Sequence, residues 1–163
     1  MSRTSRITLA VLVALIALFL AARIRYAGKA PVKLQAENCD PNLWKYVYEK
    51  ERLLVIEECT AVEGRVVSLH SNSDGDLHIA LDPKQASVLN LVNVIRARGE
   101  LVVEVICEHK PAHAADEVAC GAFHPQITIP NVGDHIRVTG AYVTDRDNGW
   151  NEVHPVTRIE ILR

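Results

Sequence analysis

Residues 132–162 read VGDHIRVTGAYVTDRDNGWNEVHPVTRIEIL and contain the clearest secondary-structure signal in the chain. Their two halves, DHIRVTGAYVTD (134–145) and NEVHPVTRIEIL (151–162), are rich in β-branched residues, which favour strands. The intervening RDNGW (146–150) contains Asp, Asn and Gly, which are typical of tight turns. We therefore predict two strands joined by a hairpin turn.

Three more strands are predicted upstream of this hairpin. They lie at LLVIEECTAVEGRVVSLH (53–70), DLHIAL (76–81) and ELVVEVICE (100–108). Gly64 interrupts the first of them, where it predicts a bulge or bend. Within 76–81, Leu and Ile alternate with other residues, which places His78 on the outward face of its strand. The chain is therefore expected to be mostly β, with five strands.

The connections between the strands contain little predicted helix. Asp40 is a candidate N-cap and is followed by proline, so a short helix is predicted from Pro41 to about Glu51. The connection 83–99 has room for another short helix. The connection 109–133 contains three prolines and is predicted to be long and irregular.

The strand pattern resembles that of OB-fold domains, which are five-stranded, partly open barrels. The resemblance covers Cys59 to Leu162 and is carried by EGRVVSLH, DGDLHIAL and, above all, the final hairpin, where OB folds commonly have G-x-x-V-x-V-x-G. More narrowly, CTAVEGRV, DGDLHI, LVVEVIC and GWNEVHPV are together similar to an uncharacterised prokaryotic family of exported or membrane-anchored barrel proteins. The resemblance implies an OB-like barrel over 59–163, preceded by a linker, a short helix and the start of the first strand over 31–58.

The same resemblance implies a candidate binding surface. In an OB barrel, the loop between the first two strands and the loop between the last two lie on one side, where ligands bind. Here these loops are SNSDGD (71–76) and DRDNGWN (145–151), which include Asp145 and Asp147. The candidate binding residues in and beside them are Asp74, Asp76, His78, Glu104, Trp150, Glu152 and His154.

Histidine and carboxylate side chains together can bind a divalent metal, which is the candidate cofactor. The candidate metal ligands are His78, His154 and Asp76. A structural alternative stays open, because Asp-Gly is a favoured hairpin turn and outward Asp and His are ordinary solvated residues.

The N-terminal segment 1–30 is predicted to be a signal-anchor or transmembrane helix. Residues 7–22, ITLAVLVALIALFLAA, form an uncharged apolar run between two arginines. A cleaved signal peptide is the alternative, but cleavage after Ala21 or Ala22 places a large residue three positions before the cut. A single-pass membrane protein with an extracytoplasmic domain is therefore expected, although the flanking charges scarcely define the orientation.

Four cysteines are present, and none forms a Cys-x-x-Cys pair, which argues against a zinc ribbon or a thioredoxin-like motif. In an oxidising compartment two disulfides are expected, with Cys39–Cys59 and Cys107–Cys120 favoured because each pair joins neighbours across one loop or helix. Buried free thiols are the alternative.

The charge distribution and the motifs limit the candidate functions. After residue 30 there are thirteen basic and twenty acidic residues, so this part carries a charge of −7. A negative domain is a poor partner for nucleic acid, whose binding depends largely on Lys and Arg contacts to phosphates. The sequence also lacks a nucleophile elbow, a Walker loop and a dinucleotide fingerprint. The expected function is a non-catalytic binding or assembly module, with a metal-dependent hydrolase and an oligonucleotide-binding domain as alternatives.

Overall fold

The computed structural model describes residues 38–163. The strands of this part are β1 (Leu53–Ser71), β2 (Leu77–Pro83), β3 (Leu101–Val105), β4 (His135–Asp145) and β5 (Asn151–Ile161). Its helices are α1 (Leu91–Arg96) and α2 (Ala114–Cys120), with 3-10 turns at Pro41–Lys45, Lys50–Arg52 and Ala86–Val88. The predicted anchor segment 7–22 lies outside the described residues. None of the helices between residues 38 and 163 is long and apolar enough to span a bilayer.

The five strands close into a barrel in the order β1-β2-β3-β5-β4. Neighbouring strands are antiparallel except β3 and β5, which are parallel and pair at Val102–Glu152 and Val103–Val153. The prediction of a mostly β chain with five strands is thereby confirmed. The barrel interior is filled by aliphatic side chains from every strand, among them Val62, Val66, Leu77, Ile79, Leu81, Leu101, Val103, Val105, Ile136, Val138, Val153 and Val156.

The segment before β1 differs from the predicted helix. Asp40 acts as the N-cap as expected, since its side chain accepts a hydrogen bond from the Asn42 backbone N–H at 2.9 Å. The prediction of one helix from Pro41 to Glu51 is wrong, however, because the segment is divided into two 3-10 turns. Between them Glu49 adopts a left-handed conformation with φ of 46°, which interrupts helical hydrogen bonding.

At Gly64, where a bulge or bend was predicted, β1 contains no bulge. The register of β1 shifts between Val55 and Thr60 against β4 and between Val66 and Ser68 against β2, whereas Gly64 itself is paired regularly. Glycine is required there for another reason: a Cβ atom would lie 2.4 Å from the carbonyl oxygen of Asp82. The residue therefore permits a close approach of two strand backbones.

Both predicted disulfides, Cys39–Cys59 and Cys107–Cys120, are present. The second joins the end of β3 to α2, a helix within the connection that was predicted to be irregular. Cys107 and Cys120 also belong to a second apolar cluster, which consists of Leu43, Val47, Leu53, Ile106, Cys107, Cys120, Ala141 and Val143. This cluster packs the segment before β1 against the segment that follows β3.

Candidate functional site: a buried histidine–carboxylate cluster

Three adjacent strands bring the polar residues of the candidate site together. His78 on β2 is paired directly with Glu104 on β3. On the other side of β3, Val103 is in register with Val153 of the parallel strand β5, so the next residues, Glu104 and His154, are also neighbours. Because the intervening valines point into the barrel, these polar side chains lie on the opposite face of the sheet.

Although this face is directed away from the barrel interior, most of the cluster is buried. Glu152 is 0% exposed, Glu104 and His154 are 1% exposed, and Asp76 is 7% exposed. His78 is half-buried. The structural alternative of solvated surface residues therefore does not describe these side chains.

His154 is surrounded by carboxylates. Its Nδ1 atom lies 2.7 Å from Glu104 Oε2 and 3.2 Å from Glu152 Oε1, and the second contact has the geometry of a hydrogen bond. The other oxygen of Glu152 accepts a hydrogen bond from Trp150 Nε1 at 2.8 Å. The other oxygen of Glu104 lies 2.8 Å from His78 Nε2. Glu104 and Glu152 thus each connect His154 to a second side chain.

Asp76 reaches the cluster from the turn before β2. Its Oδ1 atom accepts a hydrogen bond from the Cys107 backbone N–H at 2.8 Å, and its own N–H donates to Asp74 Oδ1 at 3.0 Å. Asp74 therefore shapes the turn and orients Asp76.

Asp145 and Arg52 form a separate group at the edge of the cluster. Asp145 is fully buried and accepts hydrogen bonds from the backbone N–H of Asp147 and from the side chain of Asn148, which closes the turn between β4 and β5. Arg52 forms an ion pair with Asp145, and its Nη2 atom lies 4.0 Å from Glu104 Oε2. Asp147 is exposed. Arg52 was not predicted, because the sequence contains no signal linking it to a turn more than ninety residues away.

The charges in the cluster depend strongly on one another. Burial opposes the charged form of His154, but the neighbouring Glu104 and Glu152 carboxylates raise its pKa to about 10. Burial likewise opposes the ionisation of Glu104, yet His154 and His78 hold its pKa well below the ordinary value. The metal-free protein therefore contains a buried His154–Glu104 ion pair.

The two remaining carboxyl groups have raised pKa values. Burial raises the pKa of Asp76 to about 7, despite the opposing charge of His154 and the hydrogen bond from Cys107. Burial and then repulsion by Glu104 raise the pKa of Glu152. Burial lowers the pKa of His78, but the neighbouring carboxylates, Glu104 foremost, together raise it above the ordinary value. Ionisation of these two carboxyl groups is therefore less favourable in the folded protein than in water, and a nearby cation would favour it.

One ligand atom from each of Asp76, Glu104 and His154 lies within 4.8 Å of the other two, a spacing that suits a bound metal ion. In the described part of the chain, Glu104 Oε2 and His154 Nε2 are buried atoms without a hydrogen-bond partner. Glu104 Oε2 is nevertheless ion-paired with His154 Nδ1 at 2.7 Å, whereas His154 Nε2 has no such contact among the ion pairs of residues 38–163. Unpaired buried polar atoms are unusual and point to a missing partner.

This trio includes two of the three predicted metal ligands, Asp76 and His154. The third member is Glu104, while the predicted ligand His78 contacts Glu104 instead. Trp150 and Glu152, which were among the candidate binding residues, contact each other and support His154.

Comparison with models of known protein families finds no match, and comparison with curated protein sequences finds none either.

Proposed function

We propose that the protein is a membrane-attached, extracytoplasmic binding module with an OB-like barrel. The strand order β1-β2-β3-β5-β4 and the parallel pairing of β3 with β5 support the OB-like assignment. Two disulfides support an oxidising compartment. The apolar run at 7–22 supports membrane attachment. The resemblance to exported or anchored barrel proteins agrees with each of these assignments.

The ligand in this proposal is one first-row divalent metal ion, such as Zn²⁺ or Mn²⁺. The observation that carries it is the grouping of Asp76, Glu104 and His154, in which His154 Nε2 is buried and has no hydrogen-bond partner. Two ionised carboxylates and one neutral imidazole supply a charge of −2, which a divalent ion neutralises. An imidazole ligand favours zinc and related ions over Ca²⁺ and Mg²⁺, which prefer oxygen.

The residues around the trio act as outer supports for the ligands. Metal-binding histidines usually donate their second ring N–H to a carboxylate, which fixes the tautomer and the ring orientation. Glu152 accepts such a hydrogen bond from His154 Nδ1, and Trp150 Nε1 in turn donates to Glu152. His78 holds one oxygen of Glu104. The backbone N–H of Cys107 holds one oxygen of Asp76.

Burial favours a binding or stabilising role over the metal-dependent hydrolase. The three proposed ligands are each at most 7% exposed, so a substrate molecule has no direct access to the ion. The oligonucleotide-binding alternative is disfavoured by the charge of −7 that follows from thirteen basic and twenty acidic residues after position 30.

Isothermal titration of the metal-free, full-length protein in detergent tests the proposal. Zn²⁺ and Mn²⁺ are titrated at pH 8 and compared with Mg²⁺ and Ca²⁺, because a bound metal replaces the proton on His154. We expect one site per chain for Zn²⁺ or Mn²⁺.

Asp76→Asn is the informative variant, since asparagine retains an oxygen for the Cys107 N–H but lacks the charge. We expect it to weaken binding by at least about a hundredfold, a larger loss than outer-shell changes cause. Asp82→Asn, which alters an exposed aspartate on β2, the strand that follows Asp76, is the matched control and should bind as the wild type does. Absence of a stoichiometric site, or equal binding by both variants, would contradict the proposal.

A further inference from the structure

We infer that the Cys107–Cys120 disulfide positions Asp76 for metal binding, so that the metal affinity of this site depends on the redox state of the disulfide. This inference rests on the proposed metal site and adds a means of regulating it.

The contact that links the two features is a buried hydrogen bond. The Cys107 backbone N–H donates to Asp76 Oδ1 at 2.8 Å. Cys107 has φ of 54°, a left-handed conformation that a non-glycine residue rarely adopts unless its surroundings impose it. The disulfide to Cys120 and the burial of both cysteines impose this conformation here. The direction of the N–H group that holds Asp76 therefore depends on the cross-link.

The turn that carries Asp76 is fixed by the same segment at two further points. The backbone N–H of His109 donates to the Gly75 carbonyl at 2.8 Å, and that of Ala112 donates to the Ser73 carbonyl at 2.7 Å. Gly75 has φ of 97°, and a Cβ atom there would lie 2.8 Å from both the His109 carbonyl oxygen and Pro111 Cγ. The segment 107–112, called the clamp below, thus holds the turn that carries Asp76 through three backbone N–H groups.

The clamp has no helix or strand of its own and is anchored at its start by the disulfide. A dithiol reductant supplies two electrons and two protons, which converts the bond to two thiols and the reductant to its disulfide. The segment 107–112 then loses its cross-link to Cys120 at the end of α2 and, on this inference, Asp76 thereby loses its fixed position. In contrast, Cys39–Cys59 joins the chain before the first 3-10 turn to β1, and the hydrogen bonds that hold Asp76, Glu104 and His154 within residues 38–163 involve neither cysteine.

The test compares Zn²⁺ affinity among full-length proteins that lack one disulfide each. Cys107→Ala with Cys120→Ala keeps the amide of residue 107 but removes the cross-link, and it avoids free thiols that would bind zinc themselves. Cys39→Ala with Cys59→Ala is the matched control. Its bond spans 20 residues against 13, so its removal should destabilise the fold at least as much. All titrations are run at a temperature where circular dichroism shows each variant folded.

We expect the 107/120 variant to bind Zn²⁺ at least about tenfold more weakly than the wild type, as for loss of an outer-shell support. The 39/59 variant should remain within about twofold of the wild type, because it alters no contact to the ligands. Equal affinity of the two double variants would overturn the inference while leaving the metal site intact. If the wild type itself binds no Zn²⁺, the proposed function fails instead.

Gly75→Ala provides a second test that retains both disulfides. It tests whether the segment 107–112 positions Asp76, even if the 107/120 variant does not fold. The added methyl group collides with the clamp at His109 and Pro111. We expect at least about a tenfold loss of Zn²⁺ affinity. Unchanged affinity in Gly75→Ala would show that the clamp does not position Asp76.

Discussion

Replacing Asp76 with asparagine is expected to stabilise the metal-free protein while removing its metal affinity. Burial raises the pKa of this carboxyl group from 3.8 to about 7, so the ionised form is unfavourable in the folded state. This difference in pKa between the folded and unfolded states lowers the free energy of unfolding by about 4 kcal/mol once the group is ionised in both states. Asparagine avoids this penalty and still offers an oxygen to the Cys107 N–H, which donates at 2.8 Å in the wild type.

The net gain is smaller than the full penalty, because the amide also introduces two N–H donors into a buried site. If one of the two donors stays unpaired, at a cost of about 1–3 kcal/mol, Asp76→Asn raises the free energy of unfolding by about 1–3 kcal/mol at pH 8. The folded protein holds the Asp76 proton more tightly than the unfolded chain does. The wild-type contribution is therefore complete below pH 3.8 and is lost as the pH rises to about 7.

Urea denaturation of the full-length protein in detergent and chelator, measured from pH 4 to pH 8, provides the assay. The stability difference between Asp76→Asn and the wild type should increase up to about pH 7 and then remain constant. Asp82→Asn again serves as the control and should differ from the wild type by less than about 0.5 kcal/mol. An Asp76→Asn protein that is less stable than the wild type at pH 8, or a difference that does not change with pH, would refute the reasoning.

Three further outcomes are expected. Asn93→Ala should lower the free energy of unfolding by about 3 kcal/mol in urea titrations, because the buried amide forms four hydrogen bonds: two to Asn151 of β5, one to the carbonyl of Glu100 and one to the N-cap Asn90. A loss no greater than that of Asn131→Ala, at an exposed position, would disprove this. Trp150→Phe removes the 2.8 Å hydrogen bond to Glu152 and should weaken Zn²⁺ binding about tenfold in calorimetry; unchanged affinity would show that Glu152 needs no support. Residues 7–22 should remain in the mature protein. Intact-mass measurement of membrane-extracted protein tests this, and a new N-terminus between residues 21 and 31 would contradict retention.

The alternation of apolar residues with a period of two predicted which residues of the strands are buried. The spacing of the cysteines predicted the disulfide pairing. Leu77, Ile79 and Leu81 are buried as predicted from their alternation in β2. Both disulfides follow the predicted pairing. These features depend on short-range patterns, which a single sequence contains. The interrupted helix after Asp40 depends instead on the left-handed Glu49, which residue preference does not predict.

The sequence predicted most of the residues that form the candidate site, but it did not predict that they are buried. Alternation correctly predicts that His78 and Glu104 point away from the barrel interior. It contains no information about what covers the outer face of the sheet. The one available signal was the position of Glu104 within the apolar run LVVEVIC, which is typical of a strand buried on both faces. The contribution of Arg52 depends on a long-range ion pair with Asp145 and had no sequence signal.

Anomalous diffraction from crystals of the full-length protein loaded with one equivalent of Zn²⁺ tests the central claim most directly. Data collected on either side of the zinc absorption edge locate the ion without reference to any assumed ligand. We expect one dominant peak bounded by carboxylate oxygens of Asp76 and Glu104 and a ring nitrogen of His154, with metal–ligand distances of about 2.0–2.2 Å. A peak found only at exposed side chains, with the buried cluster free of anomalous signal, would contradict it.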